Sequence, residues 1–154
     1  MDSSFTFYNP GKLVDNDLEL ILIKTISPET NPIDFVPVYK FKMILSGTGE
    51  KLGNFNFRVE NTEDIILYAG HFGYGVLEKY RGHRYAARGC QLLFPLAIKH
   101  RINPIWITCN PDNLASRRTC EVAGGKLVEV IDLPIDNDQY QDGDRQKCRY
   151  RFDL

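Results

Sequence analysis

Two stretches of this sequence carry residue types at spacings that could do chemistry. The first is Gly70-His71-Phe72-Gly73-Tyr74-Gly75-Val76-Leu77-Glu78-Lys79-Tyr80-Arg81-Gly82-His83-Arg84-Tyr85-Ala86-Ala87. It reads as the end of a strand, a short basic loop and the start of a helix. The first turn of a helix leaves main-chain N–H groups unpaired, and its dipole favours an anion there. Arg81, Arg84 and His83 add positive charge at that point, while Gly82, Ala86 and Ala87 keep the backbone unobstructed. Together these features suit a diphosphate, against the plainer reading of a basic loop that caps the strand. Neither G-x-x-x-x-G-K-[ST] nor G-x-G-x-x-G occurs, so the common nucleotide-binding glycine loops are excluded.

The second stretch runs from Ile105 to Leu127 (IWITCNPDNLASRRTCEVAGGKL). A buried strand again leads through a polar turn into a helix, which Asp112 or Asn113 can cap. Asn113 and Ser116 share a face, and Cys120 stacks on Ser116 four residues further on. Capping alone accounts for Asn113, with Ser116 a bystander; a function would be additional. Elsewhere, His71 beside its glycines suits either a general base or a hydrogen-bonded structural histidine. Glu60 and Glu78, near strand ends, could deprotonate an ammonium through water, or be solvated turn carboxylates. Arg145, Lys147, Arg149 and Arg151 alternate along the last strand and predict a basic face, which could be a surface for an acidic substrate, a solvated face or a protected edge.

The elements that must position these groups follow from pattern. Residues 18–25, 38–45 and 51–59 read as strands, the last two joined by the turn 46–50. Residues 65–77 are apolar and glycine-punctuated, which predicts a strand with a bulge rather than a helix. The segment 27–37 holds prolines 28, 32 and 37, so little more than one helical turn fits there. Residues 84–100 show a helical period, with Pro95 predicting a kink or early break. A strand over 104–109, a helix to about 123 stopped by Gly124-Gly125, a strand over 126–133, a polar loop over 136–144 and a strand over 146–152 complete the chain. The order implies an α/β (α+β) single domain, its sheet mixed and mostly antiparallel, with helices packed on it. The strand ending at Val76 is expected to run parallel to residues 105–109.

Composition narrows the class. The 154 residues carry a formal charge of −1, with 19 Lys plus Arg against 20 Asp plus Glu. That balance excludes a generally basic nucleic-acid or membrane binder, though not a local basic patch. The longest apolar runs, 18–23 and 91–98, are too short to span a bilayer, and Met1-Asp2-Ser3-Ser4 does not open a signal peptide. A cytoplasmic protein is expected. Cys90, Cys109, Cys120 and Cys148 are widely spaced with no C-x-x-C pair, which predicts reduced structural thiols and no metal site.

Over residues 38–152 the sequence resembles the GNAT superfamily of acyl-CoA-dependent N-acyltransferases. The resemblance is carried by GYGVLEKYRGHRYAARG and ITCNPDNLASRRTCEVAGGKLVE, in family order and spacing. It implies a pantetheine arm paired with the backbone of Tyr74, Gly75 and Val76, and a pyrophosphate on the N–H groups of residues 82–87. It also implies a contact from Asn113 to the CoA arm, with Ser116 beside it. An amine would attack the thioester directly and no metal would be needed. Three departures stand out. Arg84 occupies a place where the family usually has glycine. Cys120 occupies that of a tyrosine acting as general acid, which makes it the candidate catalytic residue. Segment 27–37 is too short for the two helices the family places there, so its N-terminal helical region is shortened. The resemblance therefore implies acetyl (or short acyl) transfer from acetyl-CoA to a primary amine of a small-molecule or peptide acceptor. The acceptor wall would be open, or closed by the loop 136–144 or by a second copy in a homodimer. A catalytically silent acyl-CoA-binding sensor and an interaction module without a small ligand are the alternatives.

Overall fold

The computed structural model describes residues 5–30 and 36–154, so residues 1–4, and 31–35 of the proline-rich segment, lie outside it. Strands β1 (Leu13–Asp15), β2 (Leu18–Ile26), β3 (Val38–Leu45), β4 (Glu50–Arg58) and β5 (Phe72–Val76) form one antiparallel sheet in chain order. Alternation explains it: Tyr39, Phe41, Met43, Phe55 and Phe57 are buried on one face, while Lys40, Lys42, Asn54 and Asn56 occupy the other. Between β2 and β3, Pro28–Thr30 makes a single 3-10 turn.

The stretch expected as one strand over 65–77 divides in two. Ile65–Ala69 winds into a π-helical turn, closed by Gly70 N–H on Ile65 O at 2.7 Å, and β5 begins only at Phe72. The turn's carbonyls are taken by side chains of the second sheet instead of a ladder: Ile66 O by Arg149 (3.0 Å) and Tyr68 O by Thr108 (2.7 Å). Gly70 is required, because its φ is 77° and a Cβ would press on the backbone of residues 106–108.

Strands β6 (Ile105–Cys109), β7 (Lys126–Asp132) and β8 (Gln146–Phe152) form a second antiparallel sheet with β8 in the middle. Two expectations change here. First, β5 and β6 form no parallel ladder; His71 N–H bonds Trp106 O at 2.7 Å and the strands then part. Second, the basic stripe is neither a solvated face nor an edge throughout, since Lys147 and Arg149 are 7% and 6% exposed. Arg149 lies over the Trp106 ring at 4.1 Å and pairs with Glu129 at 2.6 Å. Lys147 donates to Asn110 Oδ1 at 2.7 Å.

Helix α1 (Tyr85–Lys99) packs against the first sheet and runs through Pro95 without a break. Pro95 and Gln91 sit on the exposed side, where the carbonyl that proline leaves unbonded is accessible to solvent. Helix α2 (Leu114–Val122) starts at Asn113, whose Oδ1 accepts from Ser116 N–H at 3.1 Å, and ends at Gly124, φ 102°. The expected loop 136–144 contains one turn, α3 (Asp138–Gln141), because Asn137 Oδ1 caps Gln139 N–H at 2.8 Å. No helix among the described residues is long and apolar enough to cross a membrane. All four cysteines are buried and free.

Close approach of β4 to β5 gives a direct test of the packing. A Cβ on Gly53 would collide with the Gly75 carbonyl oxygen, whereas one on Gly75 meets nothing within 4 Å. Gly53→Ala is expected to cost about 1–2 kcal/mol in urea denaturation, and Gly75→Ala less than about 0.5 kcal/mol. Equal effects would show that β5 shifts freely.

Candidate functional site

The parting of β5 from β6 leaves one strand edge open. Leu77 N–H bonds Leu52 O at 2.8 Å, and Gly75 faces Asn54 in the ladder to β4. In an antiparallel pair alternate residues bond the neighbour, so Tyr74 and Val76 turn their N–H and C=O groups to the gap. Val76 O is held there by Arg81 Nε at 3.2 Å.

Below this edge lies the start of α1. Its first helical bond runs from Arg88 N–H to Arg84 O at 2.9 Å, so the N–H groups of Tyr85, Ala86 and Ala87 have no partner among the described residues. Arg84 takes φ 60°, ψ 26° to make the entry turn, a left-handed conformation that costs an L-residue about 1–2 kcal/mol. Arg88 anchors the turn from behind, bonding Asp15 and Asp17 at 2.7 Å each, and Tyr85 Oη donates to Asp17 at 2.8 Å. The Arg88 guanidinium holds the Asp17 carboxyl below its usual range. Tyr85 therefore offers the gap its main chain, with its hydroxyl directed elsewhere.

Helix α2 supplies the facing wall, and a cleft of about 600 Å³ lies between. Of the twelve binding residues read from the sequence, eleven line it: Tyr74, Gly75, Val76, Arg81, Gly82, Arg84, Tyr85, Ala86, Ala87, Asn113 and Ser116. His83 does not, and its ring stacks on Tyr85 at 5.3 Å. The sequence reading missed Ala115, Arg118, Thr119 and Val122, whose three- and four-residue spacing marks one face of α2, and it missed Tyr80.

The candidate acid behaves differently from expectation. Cys120 is fully buried and off the cleft wall, and burial pushes its thiol up to about 12. The polar group in front of it is the Tyr74 hydroxyl, 3.8 Å from Cys120 Sγ and 3.3 Å from Ser116 Oγ. Burial holds that phenol well above its ordinary range. Tyr74, Asn113 and Ser116 also line a second cavity of about 210 Å³, a slot between β5 and β6 that reaches Arg58 and Lys147. A third, of about 260 Å³, adjoins it at Arg58 and Ala69 and carries Asp64 and Asp138.

A domain family described as acetyltransferase (GNAT) domain matches residues 12–126. The chain belongs to this family. Among solved structures this GNAT domain is similar to a GNAT-family acetyltransferase from Bacillus anthracis, with 21% identity, TM-score 0.57, and 74% of this chain and 65% of that one covered. It is similar to the microcin C7 self-immunity acetyltransferase MccE in complex with acetyl-CoA and AMP (16% identity, TM-score 0.59, 76% of this chain and 61% of that one). A ribosomal L7/L12 alpha-N-protein acetyltransferase in complex with coenzyme A gives 15% identity and TM-score 0.67, with 93% and 98% covered. The chain thus spans less than two thirds of the first two, and at these identities the likeness shows the fold. No curated protein matches.

The remaining titratable candidates of the GNAT domain lie off these cavities. His71 is fully buried; its Nδ1 accepts from Trp106 N–H at 2.9 Å and its Nε2–H donates to Asn61 Oδ1 at 2.8 Å. With both nitrogens engaged it is a structural histidine. Glu60 and Glu78 are exposed and line none of the three cavities.

Proposed function

We propose that this GNAT domain transfers an acetyl, or similar short acyl, group from its CoA thioester to a primary amine. The observation that carries the reading is the meeting of two cavities at Tyr74, Asn113 and Ser116, one of about 600 Å³ between the start of α1 and α2 and one of about 210 Å³ between β5 and β6. The residues present fit CoA. The open N–H and C=O of Tyr74 and the N–H of Val76 would pair with the amides of a pantetheine arm as an added strand would. The N–H groups of Tyr85, Ala86 and Ala87, with Arg81, Arg84 and Arg118 near them, would hold the pyrophosphate. The amide NH2 of Asn113 has no partner among the described residues and is available to the arm.

The chemistry then needs little from the protein. The amine nitrogen adds to the thioester carbonyl, the C–N bond forms, the C–S bond breaks, the sulfur leaves as thiolate, and the nitrogen sheds its extra proton to that thiolate or to solvent. Main-chain N–H groups of β5 would polarise the carbonyl. Tyr74, rather than Cys120, would present a hydroxyl to the departing sulfur. The acceptor would enter by the slot toward Arg58. A protein amine is the favoured acceptor, because the CoA complex sharing the fold is described as an alpha-N-protein acetyltransferase.

Calorimetry with acetyl-CoA tests the reading, and no heat at millimolar ligand would sink it. Arg81→Glu with Arg84→Glu is expected to weaken CoA about tenfold to thirtyfold. A pantetheine fragment without phosphates should keep its affinity; equal losses would move the phosphate site elsewhere.

A further inference from the structure

The face of the first sheet opposite its aromatic side has an arrangement that folding alone does not favour. Lys40 and Lys42 lie on it, because Tyr39, Phe41 and Met43 point the other way into the core. In the β2–β3 ladder Lys24 stands directly opposite Lys40, and like charges so placed repel. On the other side Asn56 faces Lys40 and Asn54 faces Lys42. None of the three lysines forms an ion pair among the described residues. At the far end Glu19 and Lys51 both stand opposite Ile44 and offset each other.

The positive row does not stop at the lysines. Arg58 follows Asn54 and Asn56 along β4 on the same face, and it lies over Gly73, where an added Cβ would be 3.3 Å from its guanidinium. Arg58 donates to Gly70 O at 3.0 Å and lines the slot where the acceptor would enter. The cationic face and the acceptor slot are therefore continuous. From the proposed acyl-transfer reading, on which this step rests, we infer that the face docks an acidic stretch of the acceptor polypeptide and so feeds its amine into the slot.

Two features favour a peptide over a nucleic acid. Single-stranded nucleic acids are held by aromatic stacking platforms, and the sheet's rings (Tyr39, Phe41, Phe55, Phe57, Phe72) are buried on the other face. Asn54 and Asn56 offer side-chain amides that match peptide groups, and Ile21 and Ile23, 38% and 56% exposed, add apolar contact beside the lysines.

The experiment uses short fluorescein-labelled peptides, one glutamate-rich and one with every glutamate replaced by glutamine, with an oligouridylate as third probe. Anisotropy is read at low and at physiological salt, on the wild-type chain and on Lys40→Glu/Lys42→Glu. The acidic peptide is expected to bind about tenfold tighter than its glutamine counterpart, with the preference shrinking in salt and lost in the variant. The variant should fold, since its new carboxylate opposite Lys24 replaces a repulsion by an attraction; its Tm should not fall. Equal binding of the two peptides overturns the inference, as does tighter binding of the oligouridylate. Calorimetry with CoA separates the two readings. If CoA does not bind while the acidic peptide does, acyl transfer fails and the docking face stands; if CoA binds and the peptides do not differ, the reverse holds.

Discussion

Replacing Tyr74 by phenylalanine is expected to lower kcat about a hundredfold and to leave the KM for acetyl-CoA within about twofold. The hydroxyl stands where the two cavities meet, 3.3 Å from Ser116 Oγ, and the substitution would keep the ring that packs on Phe55 at 5.5 Å. Because burial holds the phenol well above its ordinary range, its proton stays in place at every working pH. In the proposed transfer Tyr74 would then be a fixed donor toward negative charge developing on sulfur, a contribution felt in the transition state more than in binding. Cys120→Ala is the companion experiment: a fully buried thiol pushed up to about 12 is poorly placed as an acid, so kcat should hold while stability falls by about 1 kcal/mol. Wild-type turnover in Tyr74→Phe would sink the assignment. CoA binding with no turnover over a panel of amines would leave the sensor reading in its place.

Arg84 shows why the loop departs from the family pattern. The turn into α1 requires a left-handed residue, which glycine adopts freely, and this chain puts arginine there at φ 60°. The strain is compensated if the guanidinium is used, and Arg84 lines the cleft beside the three unpaired N–H groups. The diphosphate argument from the sequence and the strained backbone of the structure thus point to one place.

Local signals carried most of this. Period-two patterns marked β3 and β4, and glycine with arginine before an alanine-rich helix start marked the cleft, because each depends on residues close in sequence. Long-range events were hidden. Nothing in residues 65–69 announces a π-helical turn, whose carbonyls are claimed by Thr108 and Arg149 from the other half of the chain. The Lys147 and Arg149 stripe looked solvated because alternation cannot show that β8 lies between two strands. Cys120 took its candidacy from the resemblance, and what no sequence pattern could show is that the Tyr74 hydroxyl packs in front of it.

The junction of the two sheets is expected to make the fold acid-labile in a defined window. His71 bolts β5 to β6: its N–H bonds Trp106 O, its Nδ1 accepts from Trp106 N–H, and its Nε2–H bonds Asn61. The two ring bonds are made by the neutral imidazole, and protonation would leave Nδ1 facing a donor. Burial, with the nearby Arg58 charge adding to it, lowers the histidine to about 4 from an unfolded value near 6.5. The unfolded chain binds the proton first, so this contribution is complete above about pH 6.5 and is lost as pH falls to about 4, a change of about 3 kcal/mol. His100 is lowered in the same direction, chiefly by burial, so the wild-type curve alone mixes two histidines. His71→Asn separates them. Asparagine retains an acceptor for Trp106 N–H and does not titrate, so urea denaturation should show a less stable protein at pH 7 whose decline toward pH 4 is shallower by the missing ~3 kcal/mol. Parallel curves would mean that the junction does not depend on the neutral ring. A selective loss of the wild type's slope would tie acid sensitivity to the point where the strands part, and thus to the gap on which both cavities depend.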